Sequence, residues 1–205
     1  MAHAFSMKPE EALAKLREGN ERFRKGENRF GSGIGLDRLK DVTGGQSPYA
    51  TILTCSDSRV PPEFIFDAGV GDVFICRNAG NILDEVILGS IEYAAAHTGC
   101  PLLVVLGHES CGACTATVAH FRNPDMHETS SVDDIVRRIL PSVTAAPSQD
   151  DPKAYVDGVA RTNVARVCAQ VSQRSPLLKS FIDKGDYKVV GAFYRLDSGE
   201  VDWEC

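Results

Sequence analysis

Residues 55–59 read Cys55-Ser56-Asp57-Ser58-Arg59, so a thiol, a carboxylate and a guanidinium arrive together directly after 49–54, a short apolar and β-branched run. Two more strings of the same kind follow apolar runs: Arg77-Asn78-Ala79-Gly80-Asn81 and Gly107-His108-Glu109-Ser110-Cys111-Gly112. Cys55, His108 and Cys111 make a three-ligand set for Zn²⁺, and a tetrahedral ion with three protein ligands keeps a fourth position for water or substrate. His108 and Cys111 lie three apart in a turn at a predicted helix start, where both side chains can face one point. Such an ion lowers the pKa of bound water to about 7 and so supplies hydroxide at neutral pH. Two thiolates already cancel its charge, which leaves Asp57 to accept the hydroxide's hydrogen bond and aim its lone pair outward. Arg59 holds that carboxylate ionised through paired, charge-assisted hydrogen bonds. Asp57 and Arg59 are therefore the candidate catalytic residues. Two other readings stand beside this one. Cys111 and Cys114 form C-x-x-C, a redox spacing that gives Cys55 and His108 no role. Alternatively, Asp57 fills the fourth metal position permanently and the ion is only structural.

The elements that must bring these groups together can be read from periodicity. Continuous apolar runs at 49–54, 71–78, 100–108 and 187–196 predict buried strands of a mainly parallel sheet, with a short edge strand after the turn at Asp197-Ser198-Gly199. Between the second and third runs, Leu83, Val86, Ile87, Ser90, Ile91 and Ala94 recur at helical spacing, which makes a βαβ crossover. Further helices are predicted at 112–121, 131–140, 152–173 and 176–183, with 27–47 as an irregular arm and 141–152 as a loop. The fold class is α/β, a central sheet of about four strands plus a short edge strand flanked by helices. An amphipathic helical arm precedes it at about 8–26, where Ala12, Leu13, Leu16 and Phe23 sit among charges, and this arm is expected to pack on a partner subunit. In open sheets of this kind reactive groups collect at the carboxyl ends of strands, where all three strings fall.

Composition narrows the functions. A single domain over 1–205 is the expectation, since two full domains would leave each half small. The net charge of −6 argues against a nucleic-acid footprint or a membrane-surface patch. The longest apolar stretches are too short to span a bilayer, and the first residues lack a secretory pattern, so a cytoplasmic location is expected. Seven cysteines, an odd number, fit reduced thiols better than a disulfide framework. Cys76, Cys100 and Cys168 read as small core residues.

Taken together, the strings "CSDSRVPPE", "RNAGN", "SIEYA" and "GHESCGA", resuming at "GAFYRLDSG", resemble the β-class carbonic anhydrases, whose pattern has C-x-D-x-R, then R-N-x-A/G-N, then H-x-x-C-G. The resemblance covers about 46–118 and the stretch near 191–199. It implies one zinc ion per subunit on Cys55, His108 and Cys111, an Asp57–Arg59 catalytic dyad, and reversible hydration of CO₂ to bicarbonate by attack of zinc-bound hydroxide. It also implies a homo-oligomer, a dimer or a dimer of dimers, with N-terminal helices wrapping the neighbouring subunit. Gln46 and Tyr93 match an active-site glutamine and tyrosine of the plant-like subgroup, contributed across the dimer interface, and Gly112 is a third substrate-binding candidate. Arg77 and Tyr194 match positions of a bicarbonate-regulated bacterial subgroup, but Ile52 stands where that subgroup has Trp, so the chain resembles the plant-like subgroup more. Ala113 stands where a second Gly is common, which matters only if the turn needs a positive φ. Relatives of this fold that hydrolyse carbonyl sulfide or carbon disulfide supply the alternative activity.

Overall fold

The computed structural model describes residues 4–29, 33–123, 125 and 130–204. Five strands form one sheet: β1 (Ala50–Cys55), β2 (Val73–Asn78), β3 (Leu102–His108), β4 (Lys188–Tyr194) and β5 (Val201–Trp203). Their order is β2-β1-β3-β4-β5, parallel throughout except for the antiparallel β4–β5 edge pair. β1 and β3 are buried along their whole length, as continuous apolar runs covered on both faces should be. From β1 the chain steps to β2 on one side, then returns to β3 on the other. That reversal opens a crevice at the carboxyl ends of β1 and β3, where open α/β sheets bind ligands.

Helices cover both faces. On one, α1 (Pro9–Lys25) sets Ala12, Leu13 and Leu16 against Ala50, Ile52, Leu102, Val104 and Leu106, with Ile65 and Phe66 of the segment around α3 (Pro62–Ile65). The apolar stripe of α1 is thus taken up by the chain's own sheet. Asn20, 4% exposed, donates to the carbonyls of Ile65 and Gly199 and accepts from the Val201 amide, fastening α1 to β5. On the other face, α4 (Glu85–Thr98), α7 (Pro152–Arg174) and α8 (Pro176–Asp183) pack Leu88, Ile91, Ala95, Val164, Val167, Val171, Leu178 and Phe181 on Leu53, Leu103 and Val105. A third apolar cluster, at the carboxyl end of the sheet, is roofed by α5 (Gly112–Arg122), α6 (Val132–Ala145) and α7, and contains Cys55, Cys111 and Cys114.

Besides the short α3, which the sequence expectation lacks, three details differ from it. Within the expected arm at 27–47 lies α2 (Leu36–Asp41), which buries none of its residues and so leaves no apolar period to read. α6 continues through Pro141 to Ala145, because Ser142 and Val143 are buried against α7, where Asn163 accepts from Ser142 and the Tyr155 hydroxyl donates to the Val143 carbonyl. On α4 the buried stripe is Leu88, Ile91, Ala94 and Ala95, while Val86 points outward at 78% exposure. His127 and Cys205 lie outside the described residues.

Gly19 brings α1 close against the Phe66 backbone. A methyl group there would overlap the Phe66 carbonyl oxygen, and backbone cannot swing aside as a flexible side chain can. Gly19→Ala should therefore destabilise the protein by about 1–3 kcal/mol through overpacking, although alanine is the better helix former. Urea unfolding measures this; a raised midpoint, as propensity alone would give, would separate α1 from the Phe66 backbone.

Candidate metal centre

The ends of β1 and β3 bring Cys55, His108 and Cys111 together, their ligand atoms all within 4.8 Å of one another. All three are buried, at 6%, 0% and 1% exposure. Cys55 closes β1 and His108 closes β3, and the parallel pairing sets Leu53 beside Val105 and Thr54 beside Leu106, so the two strand ends emerge side by side. Cys111 is the N-cap of α5, three residues beyond His108 across a turn in which Ser110 has φ 52 and donates its amide to Asp157. That bond from α7 holds a left-handed residue that would otherwise cost energy.

The imidazole orientation follows from one contact. Nδ1 lies 2.8 Å from the Glu109 carbonyl oxygen, which can only accept, so the proton is on Nδ1 and Nε2 carries the lone pair. Nε2 is completely buried and has no hydrogen-bond partner among the described residues. A buried, unpaired nitrogen costs free energy unless something binds it. Here its neighbours are two thiols. The hydrogen bond between the Cys111 and Cys55 thiols, and then burial, push Cys55 up to about 12. Cys111 is likewise pushed up to about 12, chiefly by the adjacent Cys114 thiol, with burial adding and the Cys55 thiol opposing. Two sulfurs and one nitrogen are the donor set of a thiophilic divalent metal, and an ion with bonds of about 2.0–2.3 Å draws its ligands to roughly 3.5–3.8 Å apart. The residues present fit such an ion, which would hold both thiols as thiolates.

Asp57 stands at the rim, its Oδ2 4.0 Å from His108 Nε2. Arg59 grips it at both oxygens, Nε to Oδ1 at 2.9 Å and Nη2 to Oδ2 at 2.7 Å, and the Arg59 amide adds a third bond at 3.0 Å. This fork holds the Asp57 carboxyl well below the usual carboxylate range, against a smaller opposing effect of burial. Two further groups set the loop. Arg77, at the end of β2, donates to the carbonyls of Cys55 and Asp57 at 3.0 and 2.8 Å, and the Gly80 amide points at Cys55 Sγ at 3.3 Å. Gly80 has φ 75, and a Cβ there would press on Ile139 and Ala113, so the position needs glycine twice over. The string "RNAGN" singles out this loop, but its contacts to Cys55 depend on strand register that the string does not carry.

The remaining candidates fall elsewhere. Gly112 directly follows Cys111 at the open start of α5, with nothing among the described residues within 4 Å of where a side chain would begin. Ala113 is helical and takes no positive φ. Gln46 is exposed and precedes β1, so the strand, spanning roughly 16 Å, separates it from Cys55. Tyr93, 50% exposed on α4, stacks on His97 and lies 6.3 Å from Phe74, which pairs with Thr51 near the start of β1. Gln46 and Tyr93 therefore share the amino-end side of the sheet, away from the thiols of their own chain. Ile52 is fully buried under α1, and Tyr194 is buried in the same apolar cluster. Cys76 and Cys100 are core, and burial pushes both up to about 11, while Cys168 is half-buried against the same cluster as Cys76.

A carbonic anhydrase family model matches residues 50–201. Carbonic anhydrase 2 of Mycobacterium tuberculosis is 40% identical over 191 residues, covering 93% of this chain and 90% of that protein. The carbonic anhydrase of Mycolicibacterium smegmatis is 37% identical, covering 95% and 92%. Among solved structures, the β-carbonic anhydrase CcaA aligns at a TM-score of 0.72 with 26% identity over 93% of this chain and 94% of that one. A chain from the tetrameric β-carbonic anhydrases of Sordaria macrospora aligns at 0.71 with 27% identity, covering 80% and 84%.

Because ligating thiols must lose their protons, loading the metal-free protein with a thiophilic divalent ion should release about two protons per chain at neutral pH. Thiols raised to about 12 are still protonated there, so apparent metal affinity must climb as pH rises. A pH-stat titration checks this; stoichiometric uptake without acid release would remove the thiols from the ligand set.

Proposed function

Given that the chain belongs to the β-class carbonic anhydrase family, we propose that it catalyses the reversible hydration of CO₂ to bicarbonate and a proton, with one zinc ion per subunit held by Cys55, His108 and Cys111. The observation that carries this reading is the buried convergence of those three ligand atoms, with an unpartnered Nε2 among them, inside the matched segment. Zinc, when bound, supplies the Lewis acidity that makes a nucleophile from water at neutral pH.

The chain's own residues do the rest. Asp57, ionised by Arg59, has only acceptor oxygens, so it binds a hydroxyl through its proton and turns the lone pair toward the gas. The same rule works in reverse: bicarbonate must donate its hydroxyl to Asp57 before it can be dehydrated. Arg59 occupies both carboxylate oxygens from the outer side, which keeps Asp57 from rotating, and Arg77 fixes the backbone on which both stand. Ile82, Val118, Ile139 and Phe193 pack the thiols in an apolar shell that keeps bulk water from the sulfurs.

A homo-oligomer, a dimer or a dimer of dimers, completes the proposal. β2 is an edge strand whose Val73, Phe74 and Ile75 are only partly covered, and Val86 and Tyr93 of α4 face outward. Apolar side chains and unpaired backbone groups along one edge are normally covered by something. A second copy on this edge would let Gln46 and Tyr93 of the partner subunit approach the substrate side of Cys55, which their own chain does not allow. No helix is long and apolar enough to cross a membrane among the described residues.

Stopped-flow CO₂ hydration tests the reading. Asp57→Asn, which keeps size and loses the charge, should cut turnover by about 10²–10⁴ while metal content is unchanged. Full activity in that variant would refute the orienting role. On the same preparation, sulfide release from carbonyl sulfide should be the minor activity; if it exceeded CO₂ turnover, the hydrolase alternative would take its place.

A further inference from the structure

Behind the loop that carries Gly80, α6 and α7 border an open cleft of about 150 Å³ that Ile82 and Leu83 also line, with Arg137 and Arg138 exposed. Its walls hold Arg137 and Arg138 from α6, and Arg166, Gln170 and Arg174 from α7. On α7 these positions recur at steps of four, so one helix face is committed to the cleft. No carboxylate lines it among the described residues, in a chain whose net charge is −6. Arg137 is paired with Asp134 at 3.1 Å and Arg174 with Glu85 at 2.6 Å, and both acids lie on outward, solvent-facing positions. Arg138 and Arg166 have no hydrogen bond or ion pair among the described residues.

Guanidiniums converging on one small space repel one another, and an anion seated between them relieves that repulsion. The guanidinium fork also matches the oxygens of phosphate and carboxylate groups with paired donors. Two uncompensated positive charges call for a divalent partner. The volume is ample for a compact tetrahedral ion. We propose that this cleft binds inorganic phosphate as its dianion, at a site separate from the metal centre. Asn163 lines the same cleft, donating to the Gly80 carbonyl at 3.0 Å, so the anion sits one side chain from the loop that donates to Cys55 Sγ.

Isothermal titration of sodium phosphate into the metal-loaded protein, with ionic strength held constant by sodium chloride, should give saturable binding of one anion per chain. The R138Q/R166Q variant should bind at least about tenfold more weakly. Its CO₂ hydration rate should match that of the parent, since neither residue touches the metal centre. The single variants R138Q and R166Q, each weaker than the parent, serve if the double variant is unstable. Absence of saturable binding overturns the proposal. So does parental affinity in the variants, which would put the phosphate elsewhere, the metal centre included.

Discussion

Cys55, His108 and Cys111 crowd two thiols and an imidazole lone pair into a space that water scarcely enters. Left alone, the sulfurs keep their protons and the nitrogen goes unpaired. Much of the surrounding structure makes sense as the means of holding that arrangement. A parallel pair, β1 and β3, puts Cys55 and His108 at adjacent strand ends, and the Glu109 carbonyl decides which imidazole nitrogen faces inward. The Ser110 turn, held by Asp157, then carries Cys111 back to the same point. A rigid sheet below and an apolar shell around leave these groups little freedom to escape one another.

Charge is handled separately from ligation. Asp57 lies just outside the buried trio, and Arg59, a side chain in open contact with solvent, holds its carboxyl well below the usual carboxylate range. Arg77 plays a different part, spending its donors on main-chain carbonyls of the Cys55–Asp57 segment. The two arginines divide the work: one tunes a carboxylate, and the other fixes the backbone beneath it. Residues of identical chemistry thus act at different levels because one reaches an oxygen of a side chain and the other the oxygens of the chain itself.

The sheet and the trio were legible in the sequence because each strand is a continuous apolar run that ends in a polar cluster, and strand ends of a parallel sheet share one side. Less legible were features that depend on packing between distant segments. Pro141 reads as a stop, yet α6 runs on, since Ser142 and Val143 find partners on α7 that no local pattern announces. Val86 fits the helical period of α4 but faces outward, because an apolar residue says nothing about which of two apolar surfaces it will join. α2 buries nothing, and a helix without a buried face has no hydrophobic signature. Gln46 and Tyr93 match family positions by string alone, and their own chain keeps them at the far end of β1.

One bond spans nearly the whole chain. The Asn20 side chain accepts from the Val201 amide, 181 residues later, while its own amide group reaches Gly199. During synthesis on a ribosome, therefore, the first helix emerges long before the segment that satisfies it. The Ile65 carbonyl can take one of its donors early, but the Asn20 side-chain oxygen has no Val201 amide to accept from until β5 arrives. The edge strand that looks least important to the chemistry is then the piece that completes the docking of the leading helix onto the body.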